Sequence, residues 1–240
     1  MTSTWDLLRF LNDRHLARHP GDSELLARVS SYELAARMQL SAAEVGDFSK
    51  ESPATLELYG VNDRNKIKAG FARNCLLARR LIERGVRFVQ LFNGAYAMGE
   101  GVGNWDGRKT LKEQYRVHAP ILDQPCAALL KDLKARGLLG HTLVVWLTDF
   151  GRTPKVNAAS GRDHWAGAGF AIMAGAGVPG GAVLGRTDAE GGQVTHDQYF
   201  SEDLAATVYT KLGIPLDLTT STPDGRPIRL NEGRPIREWL

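Results

Sequence analysis

Hydrophobic and polar residues alternate at helical spacing in the N-terminal part of the chain. From Thr4 to about Ala42 the apolar residues recur three or four positions apart among charged ones, which is typical of amphipathic helices. They form two sets: Leu7, Leu8 and Leu11, then Leu25, Leu26, Val29, Leu34 and Met38. The pattern therefore predicts two helices. From Glu44 to Asn65 it is broken by Gly46, Ser52, Pro53 and Gly60, so we expect a connector there.

The remainder of the chain contains two units with the same order of helix, glycine and strand. The apolar face of the first helix is Ile67, Phe71, Cys75, Ala78, Leu81 and Ile82. Gly85 then closes the helix, and 86–92 is predicted to be a strand. The corresponding face of the second helix is Leu111, Tyr115, His118, Leu122, Cys126, Leu129 and Leu133. Pro120 and Pro125 predict a kink in it, and Gly137 precedes a predicted strand at 142–148.

The two predicted strands are nearly continuous apolar runs, which indicates a mostly parallel sheet covered by helices on both faces. The fold class is therefore α/β, with residues 1–65 as a helical segment and connector and residues 66–240 as the core. A third helix is predicted with Ser201 as its N-cap and Gly213 as its end. The tail repeats Gly-Arg-Pro-Ile-Arg at 225–229 and 233–237. This repeat favours a β-hairpin joined through 231–233 over a basic anion-binding arm.

Composition excludes several classes of protein. A chain of 240 residues with 43% apolar and 24% charged residues is globular rather than disordered. Its net charge of +3 comes from well-mixed signs, so no nucleic-acid partner is indicated. Cys75 and Cys126 are interpreted as buried, reduced thiols. The segment 166–185 is long and uncharged, but its seven glycines and Pro179 argue against membrane insertion.

Chemistry-bearing residues follow both predicted strands. After the first come Asn93 and a glycine-rich loop that leads to Trp105-Asp106-Gly107-Arg108; the loop glycines are Gly94, Gly99, Gly101 and Gly103. After the second come residues 149–154 and then 161–165, which include Asp149, Arg152, Arg162, Asp163 and His164. Ligands of open parallel sheets bind outside the carboxyl ends of the strands, so these side chains are expected to converge.

Two interpretations of this set remain open. Oxygen and nitrogen donors that suit Zn²⁺, Mn²⁺, Mg²⁺ or Ca²⁺ are supplied by Asp106, Asp149, Asp163 and His164. Bidentate donors for a sulfate, phosphate or carboxylate are supplied by Arg108, Arg152 and Arg162. Alternatively, Asp149 caps a turn, Asp163 pairs with Arg162, and His164 packs beside Trp165. Spacing alone does not decide between the metal-and-anion site and this structural alternative.

Several blocks resemble one bacterial family. They are Ser31–Ala35 with Met38, Cys75–Leu81, Glu83–Val89, Asp123-Gln124, Thr148–Pro154 and Gly161–His164. Together they resemble the bacterial domain-of-unknown-function 1501 family over nearly the whole chain. The Phe150–Pro154 and Gly161–His164 blocks are the specific ones.

The resemblance implies a branch of the alkaline phosphatase and sulfatase superfamily, and hence metal-dependent hydrolysis of sulfate or phosphate esters. The substrate would be an anionic small molecule or a glycan ester. By motif, Asp106, Asp149 and His164 would bind a divalent metal, with Arg152 and Arg162 near the anion. The resemblance does not identify the nucleophile. The resemblance also implies export of the related full-length proteins, whereas the N-terminus here shows no export signal, so localisation stays open.

Two departures from the family pattern modify this expectation. Family members are longer and the chain matches their C-terminal half, so we expect a truncated alkaline-phosphatase-like sheet with little turnover on its own. Its partner would be the missing N-terminal half or a second copy. The family also has a histidine where this chain has Arg108. An arginine there would neutralise nearby carboxylates in place of a metal, which leaves a non-catalytic anion-binding or structural module as the alternative function.

Overall fold

The computed structural model describes residues 4–93 and 105–240. The predicted loop glycines Gly94, Gly99, Gly101 and Gly103 lie outside the described residues. Contacts divide the chain into two compact units, Met1–Glu51 and Ser52–Leu240. None of the described helices has the length and apolar character needed to span a bilayer.

The first unit contains the two predicted helices, α1 (Thr4–Arg18) and α2 (Ser23–Gly46). Asp22 is the N-cap of α2, and its carboxylate accepts a hydrogen bond from the Leu25 amide at 2.9 Å. Such a cap satisfies one of the amide groups that lack a partner in the first helical turn. The prediction of two helices from apolar spacing is therefore confirmed.

The second unit begins with α3 (Pro53–Tyr59), α4 (Lys66–Glu83) and α5 (Leu111–Ala135). The predicted helices α4 and α5 are confirmed, and α5 includes both prolines. Gly85 and Gly137 follow them with φ of +82° and +72°, a conformation that glycine adopts without steric cost. Between Glu44 and Asn65, where we expected only a connector, α3 and a short 3-10 turn, Phe48–Lys50, are formed.

The core of this unit is the contact between α4 and α5. Its buried side chains include Ala72, Cys75, Leu76, Ile121, Ala128, Leu129 and Leu133. Cys75 is buried and Cys126 partly buried, both as free thiols. Helix α3 also packs against α5 and buries Tyr59 completely, and the second unit starts at Ser52.

A charged network links these three helices inside the core. The Tyr59 hydroxyl donates to Asp132 at 3.0 Å, and Arg79 Nε lies 2.9 Å from the same oxygen. Arg136 binds the other oxygen of Asp132 at 2.7 Å. Both arginines also contact Glu83 at 2.7 Å. The network is balanced, with two guanidinium groups facing two carboxylates.

The strands form four two-stranded sheets. The first pairs β1 (Val144–Leu147) with β4 (Ala171–Ala174), and the second pairs β2 (Gly151–Arg152) with β3 (His164–Trp165). The third pairs β5 (Arg186–Thr187) with β6 (Val194–His196), and the fourth β7 (Thr219–Ser221) with β8 (Pro227–Arg229). Every pairing in these sheets is antiparallel.

The sheets depart from the covered, mostly parallel sheet expected from the sequence. Between β1 and β4 the described chain contains only β2, β3 and loops, and without a helical crossover the chain returns antiparallel to β1. Trp146 and Leu147 are 41% and 53% exposed, so β1 is not covered on both faces. The segment 86–92, which we predicted to be a strand, has no regular secondary structure.

The C-terminal part corrects two further predictions. Helix α6 (Ser201–Lys211) starts at Ser201, so Phe200 rather than Ser201 is the N-cap, and its amide donates to Asp203 at 2.9 Å. A C-terminal hairpin is present, but β8 pairs with β7 and not with the second copy of the repeat. A tight turn at 222–226 explains this pairing. The amide and hydroxyl of Thr222 both donate to the Arg226 carbonyl, and the Arg226 amide donates to the Thr222 hydroxyl.

Candidate functional site

The carboxylate of Asp106 lies at the centre of a cluster of basic side chains. Its Oδ1 is 2.9 Å from Arg152 Nη1 and 2.8 Å from His164 Nε2. Its Oδ2 accepts from Arg108 Nε at 3.0 Å and Nη2 at 2.9 Å. Four of the seven residues that the sequence singled out are therefore in direct contact; we call Asp106, Arg108, Arg152 and His164 the Asp106 cluster.

Local strand pairing explains why Arg152 and His164 reach the same oxygen. Arg152 on β2 and His164 on β3 are directly opposed in the antiparallel register, and opposed residues project their side chains to one face. The adjacent Gly151 allows close packing here, since a Cβ at that position would lie 1.6 Å from the Ala168 carbonyl oxygen. Strands β2 and β3 thus place Arg152 and His164 on the same oxygen of Asp106.

The segment that carries Asp106 is tied to the β2–β3 connection by a strap, which we define as residues 107–111 and 157–162. Main-chain bonds run from Thr110 to Ala159, from Leu111 to Ser160 and from Arg162 to Gly107, at 3.1, 2.9 and 2.8 Å. Thr110 and Ser160 have φ of +46° and +59°, which is strained for residues other than glycine. The strap brings two distant parts of the sequence to one place.

The basic neighbours keep Asp106 ionised. They hold the pKa of its carboxyl below the ordinary value, chiefly through the hydrogen bond with His164 and then through Arg152 and Arg108, against an opposing effect of burial. Two guanidinium charges face one carboxylate charge, so the cluster is net positive even with a neutral imidazole. The side chains of Arg108, Arg152 and His164 are 43%, 23% and 47% exposed, which leaves them accessible to a ligand.

An aromatic ring adjoins the cluster. The Phe150 ring lies 4.2 Å from the His164 ring, and the Arg152 guanidinium carbon is 5.9 Å from the Phe150 ring centroid. A cation within this distance of a ring face is attracted to it. Phe150 therefore supports the side chains of both basic residues from β2 and β3.

The other three predicted site residues have different partners. Asp149 accepts from the amide of the following residue, Phe150, at 2.9 Å. Asp163 accepts from Asn157 at 3.0 Å rather than pairing with Arg162. Arg162 donates to the Thr153 carbonyl at 3.0 Å, while its own carbonyl accepts from Arg152 at 3.2 Å. Asp149 thus behaves as a local cap, and Asp163 and Arg162 stabilise the loop behind the cluster.

The donor set does not fit a bound divalent metal in this arrangement. Catalytic zinc sites have three protein ligands, whereas the described residues contain no group of three or more His, Cys, Asp and Glu side chains that could share an ion. Asp106 and His164 are donors of the right type, but both oxygens of Asp106 already accept hydrogen bonds from guanidinium groups. A metal could bind there only after Arg108 and Arg152 had left the carboxylate.

Sequence reasoning missed several residues that shape this site. Trp105 accepts a hydrogen bond from Arg152 on its carbonyl at 3.2 Å, and Asn157 donates to the Arg108 carbonyl at 3.0 Å. Gln114 on α5 donates to the Lys109 carbonyl at 2.8 Å. The only sequence signal for these roles was that Trp105 is adjacent to Asp106.

Comparison with known proteins gives one match. A family model described as "Protein of unknown function (DUF1501)" matches residues 1–240. No curated protein and no solved structure matches the chain. The comparison thus supports a family but attaches no activity to the cluster.

Proposed function

The chain belongs to the DUF1501 family, and from that premise we propose that the Asp106 cluster binds the oxyanion of a sulfate or phosphate ester. The observation that carries this proposal is the arrangement around one carboxylate of two guanidinium groups and an imidazole, at 2.8 to 2.9 Å. Partly exposed guanidinium groups held in a fixed orientation are good ligands for a tetrahedral oxyanion.

Asp106 acts in this proposal as the group that orients the donors. Its lowered pKa keeps it ionised at neutral pH, so it is not a proton donor there. The two guanidinium charges exceed the single charge of Asp106, and the remaining positive charge attracts the anion. Because Asp106 already holds the two arginine side chains in place, they lose less conformational entropy when they bind the anion. The class of function is therefore binding of an anionic small molecule or glycan ester.

Calorimetric titration with inorganic phosphate and with sulfate, at constant ionic strength, tests the proposal. We expect Arg152→Gln to weaken binding about tenfold or more, as is common when a charge-assisted hydrogen bond is lost. The matched control is Arg73→Gln, which removes the same charge from an exposed position on α4. Equal affinity in the two variants, or no binding by the wild type, would contradict the proposal.

A second candidate is metal-dependent hydrolysis of sulfate or phosphate esters, as the sequence resemblance implies. The contact of 2.8 Å between Asp106 and His164 favours it, because carboxylate and imidazole donors side by side are typical of metal sites. This candidate also assumes that the chain is related to the alkaline phosphatase and sulfatase superfamily and that it corresponds to the C-terminal half of longer relatives.

Metal content separates the second candidate from the first. After incubation with zinc, manganese, magnesium or calcium and desalting, mass spectrometry of the purified chain would show near-stoichiometric metal if the candidate holds. That metal should be absent from the double variant Asp106→Ala, His164→Ala and present in the control Asp123→Ala, which removes an exposed carboxylate from α5. A wild-type protein that retains none of these ions leaves anion binding as the function.

A further inference from the structure

Two buried polar side chains of α5 lie against the segment that carries Asp106. Gln114 is 2% exposed and His118 is 5% exposed, and residues four apart share one face of a helix. The Gln114 amide donates to the Lys109 carbonyl at 2.8 Å. The His118 ring lies 5.2 Å from the Trp105 ring. The two side chains therefore contact segment 105–109 at both of its ends.

The backbone of Trp105 connects its ring to the Asp106 cluster. Its carbonyl accepts from Arg152 at 3.2 Å, and its peptide bond leads directly into Asp106. Its indole nitrogen donates to Asn93 at 2.7 Å, and Tyr115 lies on another side, at 6.3 Å between ring centroids. A shift of the Trp105 ring would thus move both Asp106 and a hydrogen-bond acceptor of Arg152.

The burial of Gln114 and His118 lowers the stability of the fold. Gln114 Oε1 and His118 Nε2 are buried and have no hydrogen-bond partner within the part of the chain that the structure describes. Burial also lowers the pKa of His118, so its ring is neutral. An unpaired buried polar atom loses its hydration without gaining a hydrogen bond, and an apolar side chain of similar size avoids that cost. For Gln114 the cost accompanies the bond that its amide donates to the Lys109 carbonyl, whereas the role of His118 rests on the contact of its ring with Trp105.

We propose that Gln114 and His118 are positioning residues for the anion site. Gln114 acts through its hydrogen bond to the Lys109 carbonyl, and His118 acts through the contact of its ring with the Trp105 ring. Neither needs to touch the anion. This inference rests on the proposed anion-binding function, because it assigns to α5 the task of holding Asp106 and Arg152 in the arrangement that binds.

Three variants of the full chain test the inference. Gln114→Met keeps the side-chain length without a donor, His118→Ala removes the ring, and His118→Phe retains a ring without the buried nitrogen. We expect the first two to raise the dissociation constants for phosphate and sulfate roughly threefold to tenfold, the size of one lost hydrogen bond. His118→Phe should bind as the wild type does and be at least as stable towards urea.

A second measurement keeps the result independent of anion binding. Hydrogen exchange of the Trp105 indole N–H, assigned with Trp105→Phe, reports opening of its bond to Asn93. Without added anion it should be faster in Gln114→Met and His118→Ala than in the wild type and should keep the wild-type rate in His118→Phe. Folded Gln114→Met or His118→Ala protein with wild-type affinity, or with a wild-type exchange rate, would overturn the inference. If the wild type binds neither anion, the proposed function fails, but the exchange rate still decides whether α5 positions Trp105.

Discussion

A single carboxylate, that of Asp106, fixes the directions of three other side chains. Arg152 and His164 approach one of its oxygens, and Arg108 approaches the other with two nitrogens. Each of these contacts favours the ionised carboxylate. Its protonation state is therefore linked to the stability of the whole site.

The pH dependence of stability follows from the lowered pKa of Asp106. A carboxyl whose pKa is lower in the folded state contributes stability that is complete above its unfolded pKa and is lost as the pH falls through the folded value. The difference in the free energy of unfolding between wild type and Asp106→Asn should therefore shrink as the pH falls below the ordinary value of 3.8. Urea unfolding at pH values from about 5 to about 2 measures it, and a difference that does not change over this range would contradict the assignment.

Adjacent positions in the strap should respond in opposite ways to substitution. A Cβ on Gly161 would lie 2.0 Å from the carbonyl carbon of Arg108, so Gly161→Ala must displace the strap and should weaken anion binding. Ser160 has φ of +59°, and Ser160→Gly should raise the free energy of unfolding by up to about 1 kcal/mol. Thermal unfolding and calorimetry of both variants check this. A Gly161→Ala protein with wild-type affinity and stability would show that the strap is not rigid.

At this scale the sequence predicted part of the site. Asp106, Arg108, Arg152 and His164 are in contact, but through the antiparallel β2–β3 pair and the strap rather than at the ends of the parallel strands that we predicted. The roles of Asp149 and Asp163 were not resolved in advance, because a carboxylate can accept a hydrogen bond from a neighbouring amide as readily as bind a metal. Gln114 and Trp105 carry no pattern in sequence that distinguishes them from ordinary core residues.

Among the elements, helices α3, α4 and α5 are joined by charges as well as by apolar packing. Asp132 is 7% exposed and Arg79 is 2% exposed, so neither can recover hydration if its partner is removed. Burial, and then the charge of Asp132, raises the pKa of Tyr59, which keeps the hydroxyl protonated and able to donate. Asp132 thus joins Tyr59 of α3 and Arg79 of α4 to α5.

Removal of Asp132 should be among the most damaging substitutions in the core. Asp132→Ala leaves the buried Arg79 without its Asp132 contact and should lower the free energy of unfolding by about 3–5 kcal/mol. Tyr59→Phe removes one hydrogen bond and should cost about 1 kcal/mol. Asp123→Ala, at an exposed position of the same helix, should change it by less than about 0.5 kcal/mol. Urea unfolding measures all three, and equal losses in Asp132→Ala and Asp123→Ala would exclude this role.

Helices were more predictable than strands for a physical reason. The apolar spacing of α4 and α5 depends on local sequence alone, and a glycine marks the end of each. A strand also needs a partner, and the apolar run at 86–92 does not specify one. The same ambiguity explains the repeat near the C-terminus, where β8 pairs with β7 across a short turn rather than with the second copy. Buried charges such as Asp132 look like surface positions in sequence.

The molecule as a whole consists of two units, Met1–Glu51 and Ser52–Leu240. The Asp106 cluster, the strap and the charged network all belong to the second. A unit whose contacts are mainly internal has its own core and can fold alone. The first unit is therefore expected to contribute little to the stability of the site.

A chain of residues 52–240 should fold and retain the site. Its urea midpoint and its dependence on urea should both match those of the corresponding transition of the full chain, because the same surface is exposed in the two transitions. Its affinity for phosphate or sulfate should also match that of the full chain. Circular dichroism and calorimetry check both points, and an unfolded or non-binding 52–240 chain would show that the units depend on each other.

The strap has a consequence for how this protein can diverge. The bonds from Thr110, Leu111 and Arg162 join main-chain atoms at both ends. Most side chains of the strap can therefore be replaced in evolution without loss of these bonds. Gly161 and Asn157 are exceptions, because the neighbours of Gly161 leave no room for a Cβ and the Asn157 side chain donates to the Arg108 carbonyl. Distant relatives could thus lose nearly all recognisable similarity in the strap while keeping this glycine, this asparagine and the same placement of the charged groups around Asp106.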